Sequence, residues 1–572
     1  MDEVKFVPIL NQKKDGCTCN LLTVAGINIL LECGCPEYLA SGNLKELFAK
    51  KLAHHFSNIH VALLSHEFVD YIGYVPLLAK LASKDCVILT TSPVCKLGHL
   101  TLYDFIYSRG FIELFDLFTL EQVDSVFDSM KTLKYKEKFI FKTQEGDKIR
   151  FVPLPSGGTI GGVVWKIRYK LLRILYIPRP YMKSEIISDG LSLQELPILA
   201  DLVLIDSNAR QEVSKVKENK REIKKLVKDH MKVSGTVIIP CDSGSRGLEL
   251  LSSLKRSLEK EQENTTPPPN ILYMHTMSDR ALEVARSHIE WMSLKVSTIE
   301  NKSNESEFIE NGRLKCLTSI AELGKIPIEG GKLIFCTSRS LDYGLGYYLL
   351  RRFIEDPNVL FLFPFTPIKS ELGLALLHNE FGMPIAFPVT DRTRIASPKK
   401  LPEVNVEPVA EPIPQIQIKA NVVKQVKPLF KGKAFLCFED VKPKKKSDGF
   451  GDIITEEEKF EWKRLNLGES LSSPIQDMKR AQEDNKTIIP RLRKPFYSGI
   501  FTYSYKTMYL VPRAKFRLIN FDGICDKLSL RLIVRYLKPK RLILLNNDNT
   551  QELSLKVLHK LIIGTTRKRR SS

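Results

Sequence analysis

Residues 58–83, NIHVALLSHEFVDYIGYVPLLAKLAS, constrain the fold more than any other stretch of the chain. The uniform apolar run VALL predicts a strand buried on both faces. It passes directly into Ser-His-Glu-Phe-Val-Asp-Tyr. Gly73 and Pro76 then mark the entry to a second apolar run that reads as a helix. Strand, polar loop and helix in this order set loop side chains at the mouth of a sheet, where metal ligands are commonly held. Of the His and Asp residues such a site uses, the loop carries one of each, His66 and Asp70.

The surrounding sequence repeats the strand–helix alternation. NLLTVAGINILLECG predicts a hairpin with Gly26 near its turn. DCVILTTSP is another buried strand. TLEQVDSVFDSMKTLKY offers Thr119 as an N-cap ahead of helically spaced apolar residues. IRFVPLP, GVVWKIRY and RILYIP are three tightly connected β runs, and ADLVLIDS closes this section. From about residue 208 the pattern changes. QEVSKVKENKREIKKLVKDHMK is a charged amphipathic helix with Val213, Val216, Ile223 and Val227 as its inner stripe. Strand, glycine loop and helix follow in GTVIIPCDSGSRGLELLSSLKRSL. The phosphate-loop pattern G-x-x-x-x-G-K-[ST] is missing, so Gly244 and Gly247 read as turn residues. NILYMHT, GKLIFCTS and NVLFLFPF complete a small α/β domain with a parallel sheet.

Residues 395–449 carry Pro, Val and Lys without a sustained period and read as a linker or extended insertion. The predicted organisation is therefore residues 1–206, an inserted α/β domain at 207–394, the insertion at 395–449, a return to the first domain at 450–563 and a basic tail at 564–572.

The chain has 86 Lys and Arg against 66 Asp and Glu, a formal charge of +20. A surplus of this size points to an acidic partner, most often nucleic acid, or else to basic linkers. Lys217, Arg221, Lys224 and Lys228 line one face of the charged helix, which reads as a solvated face or an RNA contact. Two C-x-C pairs, Cys17/Cys19 and Cys33/Cys35, are read as buried thiols, with a metal site as the alternative. No apolar run reaches the roughly 18 residues of a membrane span, and the N-terminus has no leader-like apolar core. The expectation is a reduced, intracellular, soluble protein.

A catalytic zinc needs about three protein ligands and an open position for water. In a dinuclear phosphodiesterase the motif H-x-H-x-D-H supplies both ions. Here its four places hold His66, Phe68, Asp70 and Tyr71.

With these segments in order, the chain resembles the metallo-β-lactamase/β-CASP nucleases of RNA 3′-end processing. Within them it is most similar to the non-catalytic large-subunit branch of the cleavage and polyadenylation specificity factor. DGCTCNLLTVAGINILLECG resembles the family's opening hairpin, FVPLPSGGTIGGVVWKI its third-motif region and LVLIDSNA the start of the β-CASP insert. CDSGSRGLELLSSL and ARSHIEWMS lie inside that insert. GFGDIITEEEKFEW resembles the segment leading back. The resemblance implies an α/β fold, an αββα metallo-β-lactamase sandwich with an inserted β-CASP domain.

Carried over position by position, it sets Glu32 at the first-motif Asp and Gly158 at the third-motif His, and the fourth-motif Asp falls near Arg179. Asp206 stands at the first β-CASP acid. Ile524 replaces the His of the Ser-Ala-His turn, and Asn546 replaces the last His. The expectation is a pseudo-enzyme without catalytic residues, bound metal or other cofactor.

The resemblance further implies a nuclear scaffold role in pre-mRNA cleavage and polyadenylation. Its partners would be the active β-CASP endonuclease, a symplekin-like scaffold, the poly(A)-signal recognition module and, directly or indirectly, pre-mRNA. Phe430, Phe435, Leu436 and Phe438, set among lysines, are the expected anchors of a peptide that folds on the recognition module. Larger family members continue into a further C-terminal domain, where this sequence has only TRKRRSS. Two other readings stay open: an active metal-dependent RNase with unusual ligands, and the related pseudo-nuclease of the Integrator complex.

Overall fold

The computed structural model describes residues 4–37, 51–83, 85–110, 117–143, 146–207, 215–259, 270–296, 314–324, 331–367, 370–378, 383–394 and 501–545, with a few isolated residues between and after them. The aromatic peptide expected at Phe430, Phe435, Leu436 and Phe438 lies outside the described residues, as does Asn546.

Two sheets form the first sandwich. One carries β1 (Val4–Leu10), β2 (Cys19–Val24), β3 (Ile27–Leu31), β4 (Val61–Leu63), β5 (Val87–Thr90) and β6 (Lys131–Thr132) in spatial order. The first three strands are antiparallel and the rest run parallel. Val24 pairs with Ile27, so the hairpin turns on Ala25 and Gly26 alone. Both have positive φ, 50° and 75°, which a two-residue turn matched to strand twist requires.

The second sheet holds β7 (Phe139–Lys142), β8 (Lys148–Pro155), β9 (Val163–Tyr169), β10 (Leu172–Ile177) and β11 (Leu202–Asp206). β20 (Arg541–Leu545) and β21 (Glu552–Leu553) complete it, in the order β21-β20-β11-β10-β9-β8-β7. Leu22, Ile29, Leu63, Phe151, Trp165, Ile167 and Tyr176 close the core between the two sheets. On the outer side of the second sheet, the helix Lys527–Leu537 sets Ile533, Val534 and Leu537 against Val203, Ile205 and Leu542. The helix Ser92–Arg109, which sets Leu97 in the inserted domain's core, packs on the helix Leu120–Ser129. The latter starts with a reciprocal box: Thr119 accepts from Gln122 N–H, and Gln122 accepts from Thr119 N–H.

The inserted domain is a six-stranded parallel sheet. Its order is β14 (Leu314–Leu317), β13 (Asn270–Met274), β15 (Lys332–Cys336), β12 (Thr236–Pro240), β16 (Val359–Phe363) and β19 (Lys515–Leu518). β16, VLFLF, is buried at every position, as a central parallel strand should be. β19 lies in the segment expected to have returned to the first domain, yet it pairs with β16. The chain rejoins the first sandwich at the helix Lys527–Leu537 and β20. A two-stranded ribbon, β17 (Ile385–Arg394) with β18 (Phe501–Leu510), brackets residues 395–500.

Of the stripe expected on the charged helix, Lys215–Lys232, Ile223 and Val227 are fully buried in the inserted domain's core. Val213 and the side chain of Val216 lie outside the described residues. The expectation for Gly247 is corrected: it sits inside the helix Ser245–Glu259, not in a turn. Its missing Cβ admits the Asp242 carbonyl, which would stand 2.3 Å from a side-chain carbon there. Among the described residues, no helix is long and apolar enough to cross a membrane.

Candidate functional site: a vestigial metal centre

The loop after β4 is held on three sides. Glu32, at the end of β3, adopts φ 65° and takes the Ser65 N–H on its carboxylate at 3.0 Å. Thr18 N–H donates to the Asp70 carbonyl at 2.9 Å. Gly34 makes that approach possible, since a Cβ there would stand 1.9 Å from the same carbonyl oxygen. The loop ends in the short helix Val69–Ile72.

The side chains of this loop meet no open metal position. His66 is fully buried, and both ring nitrogens face hydroxyls: Ser65 Oγ at 2.7 Å from Nδ1 and Ser156 Oγ at 3.3 Å from Nε2. Burial, with Arg179 nearby, holds its pKa well below the usual range, so the imidazole is neutral. Phe68 is buried and brings no donor atom. Tyr71 is buried with its ring 5.3 Å from His66, and burial beside Asp206 keeps its phenol protonated. Asp70 accepts from Gln12 Nε2 at 2.8 Å and lies 3.4 Å from Arg339.

Two cations stand over the ring of Phe68. The guanidinium of Arg179 is 4.6 Å from the ring centre and that of Arg339 is 5.5 Å away. Arg179 also donates to the Asp522 carbonyl. Arg339 pairs with Glu37 and Asp70 and reaches Asp242 at 4.0 Å. The space left among Phe68, Asp242, Arg339 and Tyr343 is about 20 Å³, room for about one water.

Gly158 has φ 76°, no side chain, and a carbonyl that accepts from Arg246 at 3.1 Å. Asp206 is buried at the end of β11. Ile524 is half-buried, and its backbone N–H donates to Asp522 at 3.3 Å. Burial pushes the Glu32 carboxyl up to about 8, against the hydrogen bonds from Ser65.

A dinuclear zinc centre does not fit this donor set. Arg179 puts a positive charge over Phe68 and beside His66, where a metal ion would meet a like charge and be repelled strongly. Among the described residues, no three His, Cys, Asp or Glu side chains converge as ligands. The thiols of Cys17, Cys19, Cys33 and Cys35 are fully buried, and burial pushes those of Cys17, Cys19 and Cys33 up. Cys35 contacts the Pro36 carbonyl.

Residues that sequence reasoning missed hold the inserted domain against this loop. Glu67 accepts the Ser245 N–H at 3.1 Å, at the start of the helix Ser245–Glu259. Glu249 on the same helix accepts the N–H groups of Ile186 and Ile187 at 2.9 and 2.7 Å. Arg246 pairs with Glu185 and donates to the Phe521 carbonyl at 2.6 Å. The one local signal for Arg339 was its place in TSRS just beyond β15. The carboxyl ends of parallel strands are where such sheets present site residues.

Residues 21–207 match the metallo-beta-lactamase superfamily domain, and residues 247–376 match the Beta-Casp domain. The chain carries a metallo-β-lactamase domain and a β-CASP domain. A relative in Oryza sativa, named cleavage and polyadenylation specificity factor subunit 2, is 29% identical over 397 residues, covering 68% of this chain and 51% of that protein. In Drosophila melanogaster a protein named probable cleavage and polyadenylation specificity factor subunit 2 is 27% identical over 377 residues, 66% of this chain and 49% of its own. Cleavage factor two protein 2 of Schizosaccharomyces pombe is 24% identical over 356 residues, with 61% and 42% covered. The chain thus spans about half the length of the curated relatives it matches.

The expected RNA-contact face is only partly assembled. Arg221 is exposed, whereas Lys224 and Lys228 are half-buried, and the side chain of Lys217 lies outside the described residues. On the neighbouring position Lys220 reaches Glu249 at 3.6 Å, so this helix spends part of its charge on its own domain.

Proposed function

We propose that this β-CASP protein is a catalytically inactive pseudo-nuclease that serves as a scaffold subunit of a nuclear pre-mRNA cleavage and polyadenylation complex. The observation that carries the reading is the pair of guanidiniums over Phe68, where an active relative would need metal and donor atoms. The names of the relatives support the choice of complex. A fold that keeps its sandwich, its inserted sheet and their joint while losing ligands retains surfaces for partners. The active endonuclease paralogue, a symplekin-like scaffold and the poly(A)-signal recognition module are the partners this reading assigns.

Affinity purification of the full chain with mass spectrometry tests it. Recovery of the endonuclease paralogue and the recognition module supports the reading, whereas recovery of Integrator subunits in their place rejects it. Phe430→Ala combined with Phe435→Ala should reduce recovery of the recognition module and leave the endonuclease unaffected. Equal recovery of both would remove the peptide from the account.

A further inference from the structure

β8 exposes Lys148 and Arg150 while burying Ile149 and Phe151 between the sandwich sheets. The register extends this alternation across the sheet. Arg150 pairs with Arg168 on β9, and Arg168 pairs with Arg173 on β10. Three arginines therefore stand in one row on adjacent strands, about 4.8 Å apart. Residues two apart share a face, so Lys142, Lys148, Lys166 and Lys170 belong to the same surface.

The helix Lys527–Leu537 covers this face only over the far halves of the strands, at Leu154, Val164, Leu175 and Ile177. The basic half stays open, with Arg150, Arg168 and Lys148 exposed. A cleft of about 300 Å³ runs over it, lined by Gly146, Asp147, Lys148, Arg150, Arg168 and Lys170. Two acids border the surface, and both are engaged. Asp147 holds Lys170 at 2.9 Å and the Tyr169 hydroxyl at 2.6 Å; Asp201 holds Lys540 at 2.7 Å and Arg173 at 3.6 Å. Among the described residues, no carboxylate pairs with Arg150, Arg168 or Lys148.

Like charges directly opposite on neighbouring strands destabilise a sheet. The row is therefore unfavourable by itself and becomes favourable when an anion spans it. Arginine forks match phosphate oxygens two at a time. Among the described residues, no aromatic ring is exposed beside the row, so the contacts fall on a nucleic-acid backbone and not on its bases.

We propose that the Arg150–Arg168–Arg173 ladder, with Lys148, is a track for the phosphate backbone of single-stranded RNA, without base preference. The choice of RNA over an acidic protein rests on the 3′-end-processing reading; the presence of a polyanion surface does not.

The test uses fluorescence anisotropy of a labelled 20-nucleotide oligouridylate with the full chain across a salt series. The variant Lys148→Glu/Arg150→Glu/Arg168→Glu leaves the buried half of each strand intact, and its melting temperature is measured alongside. At low salt its affinity should fall about tenfold or more. Its salt dependence should flatten by about 2 log units per log unit of salt, roughly 0.7 for each of three phosphates lost. Lys80→Glu with Lys96→Glu, at two exposed lysines on other helices, should bind as the unaltered protein does. Unchanged binding by the folded triple variant overturns the proposal. So does displacement of the RNA by polyglutamate at equal charge, which would assign the surface to an acidic protein. Partner recovery by the same triple variant separates the two readings. Lost RNA binding with partners retained supports the track, and absence of partners from the unaltered chain rejects the complex while leaving the anisotropy result to stand.

Discussion

The guanidinium of Arg339 lies 3.4 Å from the carboxylate of Asp70, although 269 residues separate them in the chain. The inserted domain thus supplies from afar the positive charge beside an acid that bound metal would otherwise balance. With Arg179 it surrounds Phe68 with fixed charge. Each such cation–π contact contributes about 0.5–2 kcal/mol, more when desolvated.

Removing Arg339 should therefore be costly. Arg339→Ala leaves Glu37 and Asp70 without their shared cation in a mostly buried setting. A loss of about 3–5 kcal/mol is expected, as for other broken buried pairs. Denaturant unfolding followed by fluorescence measures it, and a change below about 1 kcal/mol would show that the pairing is incidental.

Arg246 should behave as the fastener between the two domains. Arg246→Ala strands Glu185 and frees the carbonyls of Gly158 and Phe521. Hydrogen exchange should accelerate at residues 156–162 and 519–523, while the strands β8 to β10 keep their protection. Arg246→Met with Glu185→Leu should recover most of the lost stability, because an apolar pair of similar volume commonly replaces a buried ion pair without loss.

Glu32 gives the stability a definite pH dependence. Its carboxyl titrates near 8 in the folded protein and near 4.5 when exposed. The folded state holds the proton longer, so the contribution is full below pH 4.5, declines as pH rises and is gone above about 8. The change is on the order of a few kcal/mol, about 1.4 for each unit of separation. Glu32→Gln should flatten the melting temperature between pH 5 and 8.5 and be the more stable form at the alkaline end. A parallel decline in both proteins would place the titration elsewhere.

Much of this was legible from local pattern. The hairpin at Ala25–Gly26, the Thr119 cap and the parallel inserted sheet follow from short-range signals of turn chemistry and periodicity. His66, Phe68, Asp70 and Tyr71 sit together on one loop, so the absence of a donor atom at Phe68 reads directly from the sequence. Arg339 and Arg246 do not, because their roles exist only when loops over 60 residues apart close on each other. β19 was assigned to the first sandwich because a short strand looks the same in either sheet; only its pairing with β16 decides. The arginine ladder was hidden for a similar reason. Each of its residues is an ordinary polar position in an alternating strand, and register alone aligns the three.

The most direct test of the vestigial centre is the zinc content of the purified full chain by elemental analysis, after equilibration with zinc and removal of the free metal. The donor set described here predicts well under one zinc per chain, unchanged by His66→Ala. Two zinc ions per chain, lost on His66→Ala, would contradict it.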